Sequence, residues 1–71
     1  MQELTAYDEA MEEGELRVSH RLLLRLGEKR FGAVGEAIEA ELRAIRDLDR
    51  LERLAIAILT TNSWEELLAT A

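Results

Sequence analysis

From Glu3 to Arg30 the chain contains no proline and only two glycines, Gly14 and Gly27. Leu, Glu, Arg and Ala dominate this stretch, and nothing in it forces the backbone out of a helix. It therefore reads as one long helix. Lys29 and Arg30 suit the negative end of its dipole, and Gly32 is placed to stop it, with Phe31 able to pack back on the last turn. Gly14 and Gly27 are weak points, each costing about 1 kcal/mol against Ala. In a chain of 71 residues, so long a helix leaves room only for short partners.

Three such partners follow. Residues 35–46 place Ile38, Leu42 and Ile45 at i, i+4 and i+7, with Ala37 and Ala44 beside them. No Ser, Thr, Asp or Asn caps their start, so that boundary is soft. "DLDRLERL" opens a third helix, with Asp47 the preferred N-cap and Asp49 with Glu52 a capping-box alternative. Leu48, Leu51, Leu54, Ala55, Ile58 and Leu59 give it an apolar face, and AIAIL (55–59) is apolar on every side, which predicts that its C-terminal half is central to the core. "TTNS" breaks the chain, and Ser63 with Glu66 forms a capping box for a last helix of barely two turns. The fold class is all-α: a long N-terminal helix and three shorter helices in a compact bundle. The expected core is Leu22, Leu26, Phe31, Ile38, Leu42, Ile45, Leu51, Leu54, Ile58, Leu59, Trp64 and Leu67. Residues 1–21 form a helical linker or assembly segment continuous with the first core helix, and residues 22–71 form a small helical domain.

A chain this short buries only about 60% of its unfolded surface and usually needs a staple or a partner. It has no cysteine, which removes disulfides and Cys-based zinc sites and points to assembly as an oligomer. No apolar run approaches the ~20 residues of a membrane span, and the acidic N-terminus is unlike a signal peptide. The expectation is a soluble, cytoplasmic protein with no membrane partner.

Charge is distributed unevenly. The formal net charge is −6, and residues 1–15 contain six acids and no base. Directly behind them, RVSHRLLLRLGEKRFG (17–32) holds five of the nine lysines and arginines and the only histidine. Arg17, Arg21, Arg25 and Lys29 are successive i, i+4 neighbours, a spacing at which like charges repel by a few tenths of a kcal/mol per pair. Leu16, Leu22, Leu23, Leu24 and Leu26 cover more than half of the circumference, whereas one core needs an arc of roughly 100° or a little more. Leu4, Tyr7, Met11, Gly14 and Val18 alternate at spacings of three and four, a heptad seam that would next meet Arg21 and Arg25. An antiparallel pair of long helices would set the acidic half of each copy (Asp8 to Glu15) against the basic half of the other (Arg17 to Lys29). Such a pair is self-complementary about a twofold axis, and charge selects its orientation more than it adds affinity. The expected partner is thus a second copy, with Leu4, Tyr7, Met11, Gly14, Val18 and Leu23 at the interface and Gly14 near the crossing. The competing account is a solvated charged face with local Glu13–Arg17 pairing.

The residues of catalysis are missing. His20 lies at the edge of the apolar arc between Leu16, Leu23 and Leu24, where a partly buried, hydrogen-bonded histidine is expected. No second nitrogen or sulfur ligand accompanies it for a transition metal. Ser19 beside His20 faces another way on a helix and makes no triad. Glu12, Glu13 and Glu15 lack the alternating loop of an EF-hand, and the glycines fit no phosphate loop. Neither an enzyme, nor a metal, nor a cofactor is expected. Nucleic acid is the alternative partner: Arg17, Arg21, Arg25 and Lys29 could follow a phosphate backbone. Arg43, Arg46, Arg50 and Arg53 cluster at the junction of the second and third helices, but Asp47, Asp49 and Glu52 interleave them and the pI is near 4.7.

Leu22 to Leu68, through "LLLRLGEKRFG", "AIEAELRAI", "LDRLERLAIAIL" and "SWEELL", resembles a small helical domain of unknown function found in many bacteria. That domain commonly follows the nuclease of Rpn-type recombination-promoting nucleases and putative transposases of the PD-(D/E)XK superfamily. The family's leucine-rich helix ends in a similar "RFG", here Arg30, Phe31 and Gly32. "YDEAMEEGELR" looks like one copy of the Glu/Gly-rich helical tract that often links nuclease to tail. Family members often carry proline near the start of the second helix, where this chain has Val34 and Gly35. A PD-(D/E)XK site needs acids and a lysine converging on a metal, and Lys29 in "GEKRFG" is the only lysine, so no catalytic residue carries over. The resemblance implies a non-catalytic, transposase-associated accessory tail that mediates self-association or binds a nuclease-bearing partner.

Overall fold

A computed structural model describes the backbone of residues 2–70 and the side chains from Met11 to Thr70. It is all-helical: α1 (Gln2–Phe31), α2 (Glu36–Arg43), α3 (Leu48–Ala57) and α4 (Trp64–Leu68). At 1.5 Å per residue a helix as long as α1 spans about 45 Å, which matches the molecule's longest dimension of 45 Å against 21 and 17 Å across. The short helices pack beside its C-terminal half. Among the described residues Leu16 is the first one buried.

The chain runs up, back, up and back. The end of α2 returns to the middle of α1, where the His20 ring Nε2–H donates to the Ile45 carbonyl at 2.8 Å and Arg46 pairs with Glu13. α3 then runs in the direction of α1, its C-terminal end lying at Arg30. α4 comes back alongside α3, so that Arg50 reaches the carbonyls of Leu68 and Thr70.

Local chemistry sets most of the boundaries. Gly32 adopts φ +95° and its N–H bonds to the Glu28 carbonyl at 3.0 Å, the left-handed stop that glycine adopts without strain. Gly35 caps α2 without a side-chain bond. α2 ends at Arg43, short of the expected Arg46, because the Ile45 N–H turns to the Leu42 carbonyl in a tighter i→i−3 bond. Asp47 accepts from the N–H groups of Asp49 and Arg50 and opens α3, and Ser63 accepts from that of Glu66 and opens α4. Such caps are each worth about 1 kcal/mol.

The core comprises Leu16, Leu23, Leu24, Leu42, Leu51, Leu54, Ile58, Trp64 and Leu67, with Phe31, Ile38 and Ile45 partly buried against it. Each fully buried leucine contributes roughly 1.5–3 kcal/mol. Three expected core residues lie outside it: Leu22, Leu26 and Leu59 are 53%, 39% and 76% exposed. In α1 the buried positions are Leu16, His20, Leu23, Leu24 and Gly27, a stripe at spacings of three and four, and Leu22 and Leu26 fall off that stripe. Likewise, within AIAIL only Ile58 is buried. The folded unit takes in Leu16 and His20, so it begins before residue 22.

Gly27 is a packing requirement rather than a weak point. A Cβ there would lie 2.0 Å from Trp64 Cη2. The Trp64 ring is fixed by an edge-on contact with Phe31, centroids 5.3 Å apart, and by its N–H donating to the Gly32 carbonyl at 3.2 Å.

Candidate assembly surface on the first helix

The core stripe of α1 leaves the opposite side of the helix to solvent, and that side is apolar too. Met11, Val18 and Leu22 are 49%, 52% and 53% exposed. Val18 lies seven residues after Met11, Leu22 lies four after Val18 and Leu26 four after Leu22, so all four share one side of the helix. Met11 and Val18, members of the heptad seam with described side chains, thus lie on the outward face, and the apolar line runs on into Leu22 instead of ending at Val18. Gly14 lies on the same face, with open space where a Cβ would be. The side chains of Leu4 and Tyr7 lie outside the described residues. Leu23, expected at the interface, is 2% exposed; it sits on the core stripe, about 100° round the helix from Leu22, and belongs to the chain's own interior.

The basic line follows that same outward side. Arg17, Arg21, Arg25 and Lys29 are all exposed. Glu13 pairs with Arg46 across to the end of α2, not with Arg17 one turn on. Arg46 thereby ties the connection between α2 and α3 to α1.

The remaining arginines are mostly absorbed into the fold. Arg30 donates to the carbonyls of Ile58 (3.0 Å) and Thr61 (2.6 Å), beyond the C-terminal end of α3. Arg50 donates to those of Thr70 (2.8 Å) and Leu68 (3.2 Å) beyond α4. The last carbonyls of a helix have no intrahelical donors and carry its negative pole, so a guanidinium there satisfies both needs. Arg43 pairs with Glu39 at 2.9 Å. The junction cluster is thus largely occupied with internal bonds, whereas Arg17, Arg21, Arg25 and Lys29 form an exposed line on α1. Arg30 and Arg50 as carbonyl donors were missed in the sequence: the residue type is a signal, but nothing local says which helix end it will reach.

His20 is buried and bonded, as its place beside the leucines foretold. Among the described residues no three of His, Cys, Asp and Glu converge as a metal would require, and no buried side-chain nitrogen or oxygen lacks a hydrogen-bond partner. Among the described residues no helix is long and apolar enough to cross a membrane.

Compared with protein-family models, curated proteins and solved structures, the chain matches none.

Proposed function

We propose that this chain is a non-catalytic self-association module in which the outward face of α1 pairs antiparallel with that of a second copy. The observation that carries this reading is the apolar line of Met11, Val18, Leu22 and Leu26, turned away from a core that α1 already completes on its other side. A helix with one apolar stripe is satisfied by one core, and a second stripe needs a second partner. Antiparallel pairing sets the six acids of residues 1–15 against Arg17, Arg21, Arg25 and Lys29, whereas parallel pairing sets like against like. The resemblance of Leu22 to Leu68 to the tail domain of Rpn-type nucleases fits a cytoplasmic accessory role, holding two copies of a nuclease- or transposase-like protein together or docking one that bears a nuclease.

Sedimentation equilibrium at low micromolar concentration, in 0.1 M and about 1 M salt, tests the pairing. A dimer in both conditions is expected, since a leucine seam survives screening. A monomer with a cooperative melt would overturn the proposal. The exposed basic line also favours a second reading, contact with nucleic acid. That binding would fall steeply with salt, and Arg21→Glu with Arg25→Glu would abolish it, while the same pair of changes would weaken or reorient a dimer.

A further inference from the structure

The outward face of α1 is not smooth. Met11, Gly14, Glu15 and Val18, with Ser19 at the rim, enclose one hollow, and Val18, Arg21, Leu22 and Arg25 enclose the next. Arg25, Glu28 and Lys29 line a third. Corners at i, i+3, i+4 and i+7 form the hole that receives a side chain from a facing helix in coiled-coil packing. Neighbouring hollows share a corner, Val18 and then Arg25, so they repeat every seven residues. Gly14 leaves the first one open, with nothing within 4 Å of the position of a Cβ. Apolar side chains of the same period lie on the same helix: Leu4, Met11 and Val18 are seven residues apart, and Met11 and Val18 are half-exposed.

Resting on the self-association reading, we infer that two copies of α1 interlock about a twofold axis between Leu16 and Arg17, each seating Val18 and Met11 in the first and second hollows of the other. A single register makes both contacts. That axis sets Val18 level with Glu15 of the second copy, at the first hollow, and Met11 level with its Leu22, at the second. Leu4 then comes level with Lys29, at the third. Twofold symmetry repeats every contact, so each copy both inserts and receives. Charge agrees with the fit. Arg21, Arg25 and Lys29 line the second and third hollows, and residues 1–15, which supply Met11 and Leu4, contain six acids and no base. Asp8 comes level with Arg25, and Glu12 with Arg21. Slipping by one heptad sets Arg25 at the first hollow in one direction and Val18 level with Asp8 in the other. A parallel pair in register sets Gly14 and Glu15 at the first hollow, with no apolar side chain to insert, and Arg21 at the second, where bases meet bases.

The absence of cysteine allows a direct test. Chains carrying Met11→Cys are mixed and allowed to exchange with chains carrying Val18→Cys, Leu22→Cys or Leu26→Cys, then exposed to a mild oxidant. A disulfide needs Cα atoms within about 7 Å, so Met11→Cys should join fastest to Leu22→Cys. In parallel, Gly14→Leu fills the first hollow and should weaken the dimer roughly ten-fold or more. Its dilute monomer should melt no lower than wild type, because the site is open within its own chain. A wild-type dimer in which Leu22→Cys is not the fastest partner of Met11→Cys, or whose affinity Gly14→Leu leaves unchanged, would overturn the register and leave the outward-face pairing standing. A monomeric wild type would overturn both.

Discussion

The two apolar faces of α1 share one helix, one composition and nearly one residue range, yet they differ in every structural respect. On one side Leu16, His20, Leu23, Leu24 and Gly27 are buried under the short helices. On the other, Met11, Val18, Leu22 and Leu26 stand in solvent. The difference comes from the short helices. α2 and α3 each have one apolar stripe and cover one side of a helix that has two. Periodicity thus identifies a face that wants a partner without saying whether the partner lies in the same chain.

The adjacent pair Leu22 and Leu23 offers the sharpest way to break this comparison. Leu23→Ala removes a side chain that is 2% exposed and should cost about 2–5 kcal/mol in urea unfolding, at any protein concentration. Leu22→Ala should cost under about 0.5 kcal/mol in the dilute monomer, and, under the proposed pairing, more only as concentration rises. Equal losses at high dilution would mean that both faces are interior, which would remove the case for an outside partner.

How far the sequence was legible follows the same division. The caps at Asp47 and Ser63 and the stop at Gly32 were readable because their chemistry is local: a side-chain oxygen within three residues of an open N–H, or a residue free to take positive φ. The single apolar stripe of α2, with Leu42 buried and Ile38 and Ile45 beside it, was readable for a similar reason. The arc of α1 that the core would use was not. Leucines covering more than half the circumference are compatible with several arcs, and α2 and α3 choose among them only once folded. Hence Leu22 and Leu26 were expected inside, and Leu23 at an interface. Leu59 was misplaced on the assumption that an apolar run is buried all round, whereas it lies past the end of α3 at Ala57 and is exposed.

The second contrast is between Trp64 and what lies over the outward face. Gly27→Ala would put a Cβ 2.0 Å from Trp64 Cη2, and the ring cannot move without disturbing its Phe31 contact and its bond to the Gly32 carbonyl. Overpacking costs about 1–3 kcal/mol and the helix gains up to about 1 from Ala. A net loss of roughly 1–2 kcal/mol is therefore expected, with a lower melting temperature. Adding Trp64→Leu should remove most of the non-additive part, measurable as a double-mutant cycle.

Gly14→Ala makes the same chemical change on the other face, and its expected sign is opposite. Nothing lies within 4 Å of the position a Cβ would take, so the dilute chain should keep the helix-propensity gain of up to about 1 kcal/mol and melt higher. Under the proposed pairing, Gly14 lies level with Val18 and Ser19 of the second copy, where a methyl group would hold the two helices apart. The same variant should then dimerise less well while its monomer is more stable. These two effects are separable by following the melt across a hundred-fold dilution series and reading the dimer fraction by sedimentation. A variant more stable at every concentration, with pairing undiminished, would show that the outward seam does not close at Gly14 and would shift the crossing point toward Val18 and Leu22.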